Sequence, residues 1–127
     1  MEESSEPKVL ALVRDLMFVS RITSVAKATG AAIRVIRDPA ALGDQASQLL
    51  LVDLNLAGAL EAAAAWRRST ASAVVGFVSH VDAETIARAR EMGLDRVMAR
   101  SGFVEALPAI LGAMVCGDAS SARDLKK

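Results

Sequence analysis

The sequence has no tyrosine, and its aromatic residues are one tryptophan and three phenylalanines, 3% of the chain. Stacking platforms for bases or sugars are therefore poorly supplied. A single cysteine, Cys116, excludes an internal disulfide, a two-cysteine redox pair and a cysteine cluster for zinc, and it suits a reducing compartment. Charge of either sign is not in excess: Lys plus Arg and Asp plus Glu are 15 each, so no long-range field draws nucleic acid or an anionic membrane. No apolar run approaches the ~20 residues that span a bilayer. The start, Met1-Glu2-Glu3-Ser4-Ser5-Glu6, lacks the basic region of a signal peptide, so a cytoplasmic location is expected.

What is present is aliphatic. Hydrophobic residues make up 53% of 127 positions, enough for one domain with a core of Ala, Val, Leu and Ile. The stretch Leu49-Leu50-Leu51-Val52-Asp53 organises the rest, because four apolar residues in a row read as a strand covered on both faces and run straight into a carboxylate. In open α/β sheets the sites lie beyond the carboxyl ends of the strands, which is where Asp53 stands.

Taken in order, residues 1–7 read as a mobile leader ending at Pro7, and residues 8–13 as the first buried strand, delivering Arg14-Asp15 at its end. Apolar positions at three-to-four spacing predict a helix over 16–29, stopped by Gly30. Residues 31–36 read as a strand nearer an edge, and Asp38-Pro39 opens a short helix to Leu42. After the central strand an alanine-rich helix is predicted over 59–68, with Arg67-Arg68 as its solvated end. Residues 73–78 repeat the buried-strand signature and hand over Ser79-His80; Asp82 caps a helix to Met92, with Gly93 as its stop. A fifth strand over 96–99 ends at Arg100-Ser101, a last helix runs from Phe103 to Cys116 with a disturbance at Pro108, and 117–127 read as a flexible tail.

Five strands alternating with five helices predict an α/β fold, a doubly wound five-stranded parallel sheet in the order 2-1-3-4-5. Strands one and three then lie side by side at the centre, so Arg14, Asp15 and Asp53 converge at one rim.

In order and spacing, residues 8–116 resemble the receiver domain of two-component response regulators, the CheY-like, flavodoxin-like family. There an acidic pair follows the first strand, a phosphoacceptor Asp ends the third, a Ser or Thr ends the fourth and Lys-Pro ends the fifth. Here those places hold Arg14-Asp15, Asp53, Ser79 and Arg100-Ser101. The resemblance implies that Asp53 is a phosphoacceptor or its relic and that Ser79 is either a phosphoryl hydrogen-bond donor or a helix-entry residue. It places Asn55 and His80 in the pocket loops and a regulatory surface on the last two helices and the fifth strand.

The departures are informative. An arginine replaces the first acid, an arginine the lysine, a serine the proline, His80 a very small residue and Val97 the aromatic rotor; the loop Asn55-Leu56-Ala57-Gly58 is short. Two guanidiniums, Arg14 and Arg100, are expected to pair with Asp15 and Asp53 and do the neutralising that Mg²⁺ does in the family, so weak or absent Mg²⁺ binding and no other cofactor are expected. The sequence reads as a stand-alone, degenerate receiver-like interaction module in signal transduction, not an enzyme. Its partner is a histidine kinase or a downstream signalling protein, and it is a monomer or a homodimer. The alternative is a regulator that accepts phosphate on Asp53 from a histidine kinase. A hydrolase with Asp53 as nucleophile fits poorly, since Asn55 stands where the second acid would be, and no glycine-rich loop offers a dinucleotide site.

Overall fold

The computed structural model describes residues 8–43, 45–78 and 83–115. The leader over 1–7, the tail over 117–127 and the positions Ser79, His80, Asp82 and Cys116 lie outside them. Five strands, β1 (Val9–Leu12), β2 (Ile33–Ile36), β3 (Leu49–Asp53), β4 (Ala73–Val78) and β5 (Arg96–Ala99), form one parallel sheet in the order β2-β1-β3-β4-β5. The helices among the described residues are α1 (Leu16–Thr29), α2 (Ala59–Thr70), α3 (Ala83–Glu91) and α4 (Arg100–Val115).

The uninterrupted apolar runs are explained by cover on both faces. Along β1, β3 and β4 alternate residues enter two separate cores. Val9, Ala11, Leu49, Leu51, Val75 and Phe77 pack with Phe18 and Ile22 of α1 and Phe103, Leu107 and Leu111 of α4. On the opposite face Leu10, Leu12, Leu50, Val52, Val74 and Val78 pack with Leu60, Ala63 and Trp66 of α2 and Ala89 of α3. Leu49 to Val52 are fully buried, and each such side chain contributes about 1.5–3 kcal/mol by leaving water. Gly30 ends α1 in the left-handed region, with φ 85°, and the Ala31 N–H closes the turn on the Ala26 carbonyl at 2.9 Å.

Two predicted elements differ. The segment after β2 is a single 3₁₀ turn, Pro39–Ala41, not a fifth α-helix. Asp38 caps it by accepting the Ala40 N–H at 3.0 Å and Pro39 sets the first φ, but Leu42 already bonds back to Pro39 at 3.1 Å in the tight i to i+3 pattern. The last helix begins at Arg100, three residues earlier than expected, so β5 passes into α4 without a loop, and α4 continues through Pro108.

Candidate functional site at the carboxyl rim of the sheet

Because all five strands run the same way, their carboxyl ends share one rim. Asp15 stands just beyond β1, Asp53 is the last residue of β3, and Arg100 follows the last residue of β5. Ser79 and His80, which follow β4, are outside the described residues.

Asp15 is the N-cap of α1. Its Oδ1 accepts the Met17 N–H at 3.0 Å and the Phe18 N–H at 3.3 Å, satisfying two donors that the first turn leaves free. Its Oδ2 accepts from Nη2 of Arg100 at 3.2 Å. The Arg100 guanidinium first, then the Phe18 amide and to a lesser degree the Met17 amide, hold the Asp15 carboxyl below its ordinary value against the opposing effect of desolvation. The same guanidinium lies 3.9 Å over the ring of Phe18. Phe18 in turn stands 4.9 Å from Phe77 and 5.9 Å from Phe103, whose rings are 4.4 Å apart, so the Arg100 contact rests on a buried aromatic trio.

Asp53 is partly buried at the end of the central strand. Its Oδ1 accepts the Asn55 N–H at 3.0 Å and its carbonyl accepts the Leu56 N–H at 3.2 Å, a local turn that brings the chain round towards α2. Among the described residues no ion pair reaches Asp53.

The four-charge cluster expected from the sequence forms only in part. Arg100 pairs with Asp15 rather than standing against Asp53, and Arg14 joins neither acid: its Nε donates to the Arg37 carbonyl at 3.3 Å, at the end of the neighbouring strand β2. The physical reason is the order of the strands. A residue just past β1 has β2 on one side and β3 on the other, and the long stem of Arg14 takes the β2 side, where the Arg37 carbonyl accepts it.

Among the described residues the rim offers a divalent cation few free oxygens. A hard cation needs several oxygens free to converge. Here Asp15 has both oxygens engaged, an arginine occupies the position of its acidic neighbour, and no three acidic, histidine or cysteine side chains gather among the described residues. A groove of about 680 Å³ opens beside Arg100, lined by Phe18, Arg21, Ala99, Val104 and Glu105 between α1 and α4; Asp53 is not part of its wall.

One built feature was not anticipated. Arg67, expected to be a solvated helix end, makes a two-pronged bridge to Asp95, with Nε to Oδ2 at 3.0 Å and Nη2 to Oδ1 at 2.9 Å. The Asp95 side chain is 6% exposed and also accepts the Val74 N–H at 2.8 Å. This bridge sits at the amino end of β5, on the rim opposite Asp53. The available signal was an acid one residue before a strand, which has no periodic signature.

The fold is that of CheY-like receiver domains. A receiver domain protein from Methanospirillum hungatei superposes with a TM-score of 0.70 at 12% identity, over 89% of this chain and 99% of that one. A Burkholderia pseudomallei response regulator with a phosphorylated aspartic acid gives 0.70 at 18% identity, over 88% and 72%. The phosphorylated cyanobacterial phytochrome response regulator RcpA gives 0.69 at 14% identity, over 87% and 91%. No protein-family model and no curated protein matches the sequence.

Proposed function

We propose that the protein is a degenerate receiver-like domain that works in signal transduction as a protein-interaction module, without Mg²⁺-dependent phosphorylation and without enzymatic activity of its own. Its partner is a protein, either a histidine kinase or a downstream signalling protein, and neither nucleic acid nor a membrane surface is part of its task. The reading rests on the receiver fold together with one observation: the remaining acid of the family's pair, Asp15, is committed on one oxygen to capping α1 and on the other to Arg100. A cation arriving at Asp53 would have to break that bridge and would meet Arg14 where the family places a carboxylate. Neutralisation of the rim is assigned to Arg100; Arg14 serves to tie the end of β1 to that of β2. Asp53, with Asn55 shaping its turn, is then a relic of the phosphoacceptor.

The second reading, a regulator phosphorylated on Asp53, draws its support from the partly buried carboxylate at the end of β3. Titrating Mg²⁺ by calorimetry, then incubating with acetyl phosphate and weighing the intact protein, separates the two. No heat and no mass increase are expected for the natural chain, while Arg14→Asp combined with Arg100→Lys should bind Mg²⁺ in the millimolar range. Mg²⁺ binding by the natural chain with a phosphoryl group on Asp53 would establish the second reading instead.

A further inference from the structure

The chain is neutral as a whole, but its charge is not evenly spread. Over residues 8–43 six bases, Lys8, Arg14, Arg21, Lys27, Arg34 and Arg37, stand against two acids, Asp15 and Asp38, whereas over 45–78 and 83–115 acids and bases balance at six each. The excess therefore falls on β1, α1 and β2, at the edge of the sheet opposite β5. Both acids are engaged: Asp15 caps α1 and pairs with Arg100, and Asp38 caps the turn at Pro39. Three of the cations, Arg14, Arg34 and Arg37, gather along β2. Arg14 reaches the Arg37 carbonyl, Arg34 lies three residues earlier on the strand, and none of the three forms an ion pair among the described residues.

Among the described residues β2 is paired with β1 alone, and its two faces differ. Ile33 lies on the α1 face, where it forms a half-buried apolar shelf with Val19, Val25 and Ala31; Val35, next on that face, is also partly exposed. Arg34 is on the other face, with Nη1 donating to the Gln45 side chain at 2.9 Å. The Ile36 carbonyl accepts the Val13 N–H of β1 at 3.0 Å, so in a parallel ladder the N–H and C=O of its neighbour Val35 point the other way, out of the sheet. Among the described residues no hydrogen bond from beyond the ladder reaches them.

We infer that the outer edge of β2 takes up an extended segment of a partner protein as a sixth strand, and that this segment alternates aliphatic and acidic side chains. An added strand is held by backbone bonds to the edge and selected through its alternate side chains. Here the aliphatic ones extend the shelf of Ile33 and Val35, the acidic ones lie beside Arg34, and Arg14 and Arg37 attract further acid at the carboxyl end of the strand. The same cations close the edge to a second copy, because two β2 strands side by side set like charges next to each other. A nucleic-acid backbone would use the charges and leave the apolar shelf and the strand edge unused. The inference rests on the interaction-module part of the reading above; Asp53 and Mg²⁺ do not enter it.

The probe is a capped peptide of about eight residues alternating valine and glutamate, added to the full chain from about 10 μM to about 1 mM while amide exchange is followed at both edges of the sheet. Exchange should slow saturably in Ile33–Ile36, most at Val35, and stay unchanged in Arg96–Ala99. Arg34→Glu should weaken the peptide about tenfold or more, and a peptide with lysine for glutamate should bind the natural chain equally poorly. Val35→Pro removes the outward N–H and keeps the bonds to β1, since proline is tolerated where the N–H of an edge strand faces solvent, and should abolish binding. Melting curves establish that the variants fold; if Val35→Pro does not, the exposed Arg34→Glu and the lysine peptide decide. No saturable protection up to about 1 mM, equal binding of the glutamate and lysine peptides, or binding indifferent to Arg34→Glu would each overturn the inference. Protection of Ile33–Ile36 that rises with the concentration of the chain alone would assign the edge to a second copy and overturn it too. Those outcomes leave the calorimetry and mass measurements at the rim as they are, so a failure of this inference is distinct from a failure of the rim reading.

Discussion

Asp15 carries the upper rim, with one oxygen receiving the first turn of α1 and the other receiving Arg100. Its carboxyl is held below the ordinary 3.8, so the stability it contributes is fully present above that value and is lost as the pH falls through the lower, folded one. Asp15→Asn keeps a competent N-cap and removes the charge, which isolates the ion pair from the cap. The melting temperatures of the two forms should differ by a constant amount above about pH 5 and converge below about pH 4. A residual acid slope stays in the variant, because Glu61 is also lowered, by its own backbone N–H and by Arg88. A difference that persists undiminished at about pH 2–3 would show that Asp15 acts through shape and not through charge. The place of Asp15 was legible in the sequence and its partner only in part. Apolar runs fix where a strand ends, but not which way a long side chain swings, so Arg100 against Asp15 and Arg14 against the Arg37 carbonyl could not be told from the reverse.

At the level of elements, the lower rim is tied by Arg67 from the last turn of α2 to Asp95 at the entry of β5, and through Asp95 to the Val74 amide of β4. Asp95→Ala leaves a partly buried guanidinium and a strand N–H without their acceptor. It is expected to cost about 3 kcal/mol, the low end for a broken buried pair because Arg67 remains one-third exposed. Asp95→Asn, which can still accept from Val74, should cost less. Urea unfolding reads both, and a loss under about 1 kcal/mol for Asp95→Ala would assign the pair to the surface class. The strands and most helices could be read in advance because their signals are periodic and span a whole element. The 3₁₀ turn could not be told from a short α-helix, since Asp38-Pro39 opens either, and the distinction lies in how soon the chain must turn back to reach β3.

For the molecule as a whole, two cores divided by one sheet make the three inner strands the last to open. Every described residue of β1 and β4, and Leu49 to Val52 of β3, is buried, whereas β2 and β5 are partly exposed and, among the described residues, each is paired on one side alone. Native-state hydrogen exchange on dilute protein should therefore find the slowest amides in Val9–Leu12, Leu49–Asp53 and Ala73–Val78, and faster ones in Ile33–Ile36 and Arg96–Ala99. β5 amides as slow as those of β3 would mean that the outer edge of β5 is already covered within the chain.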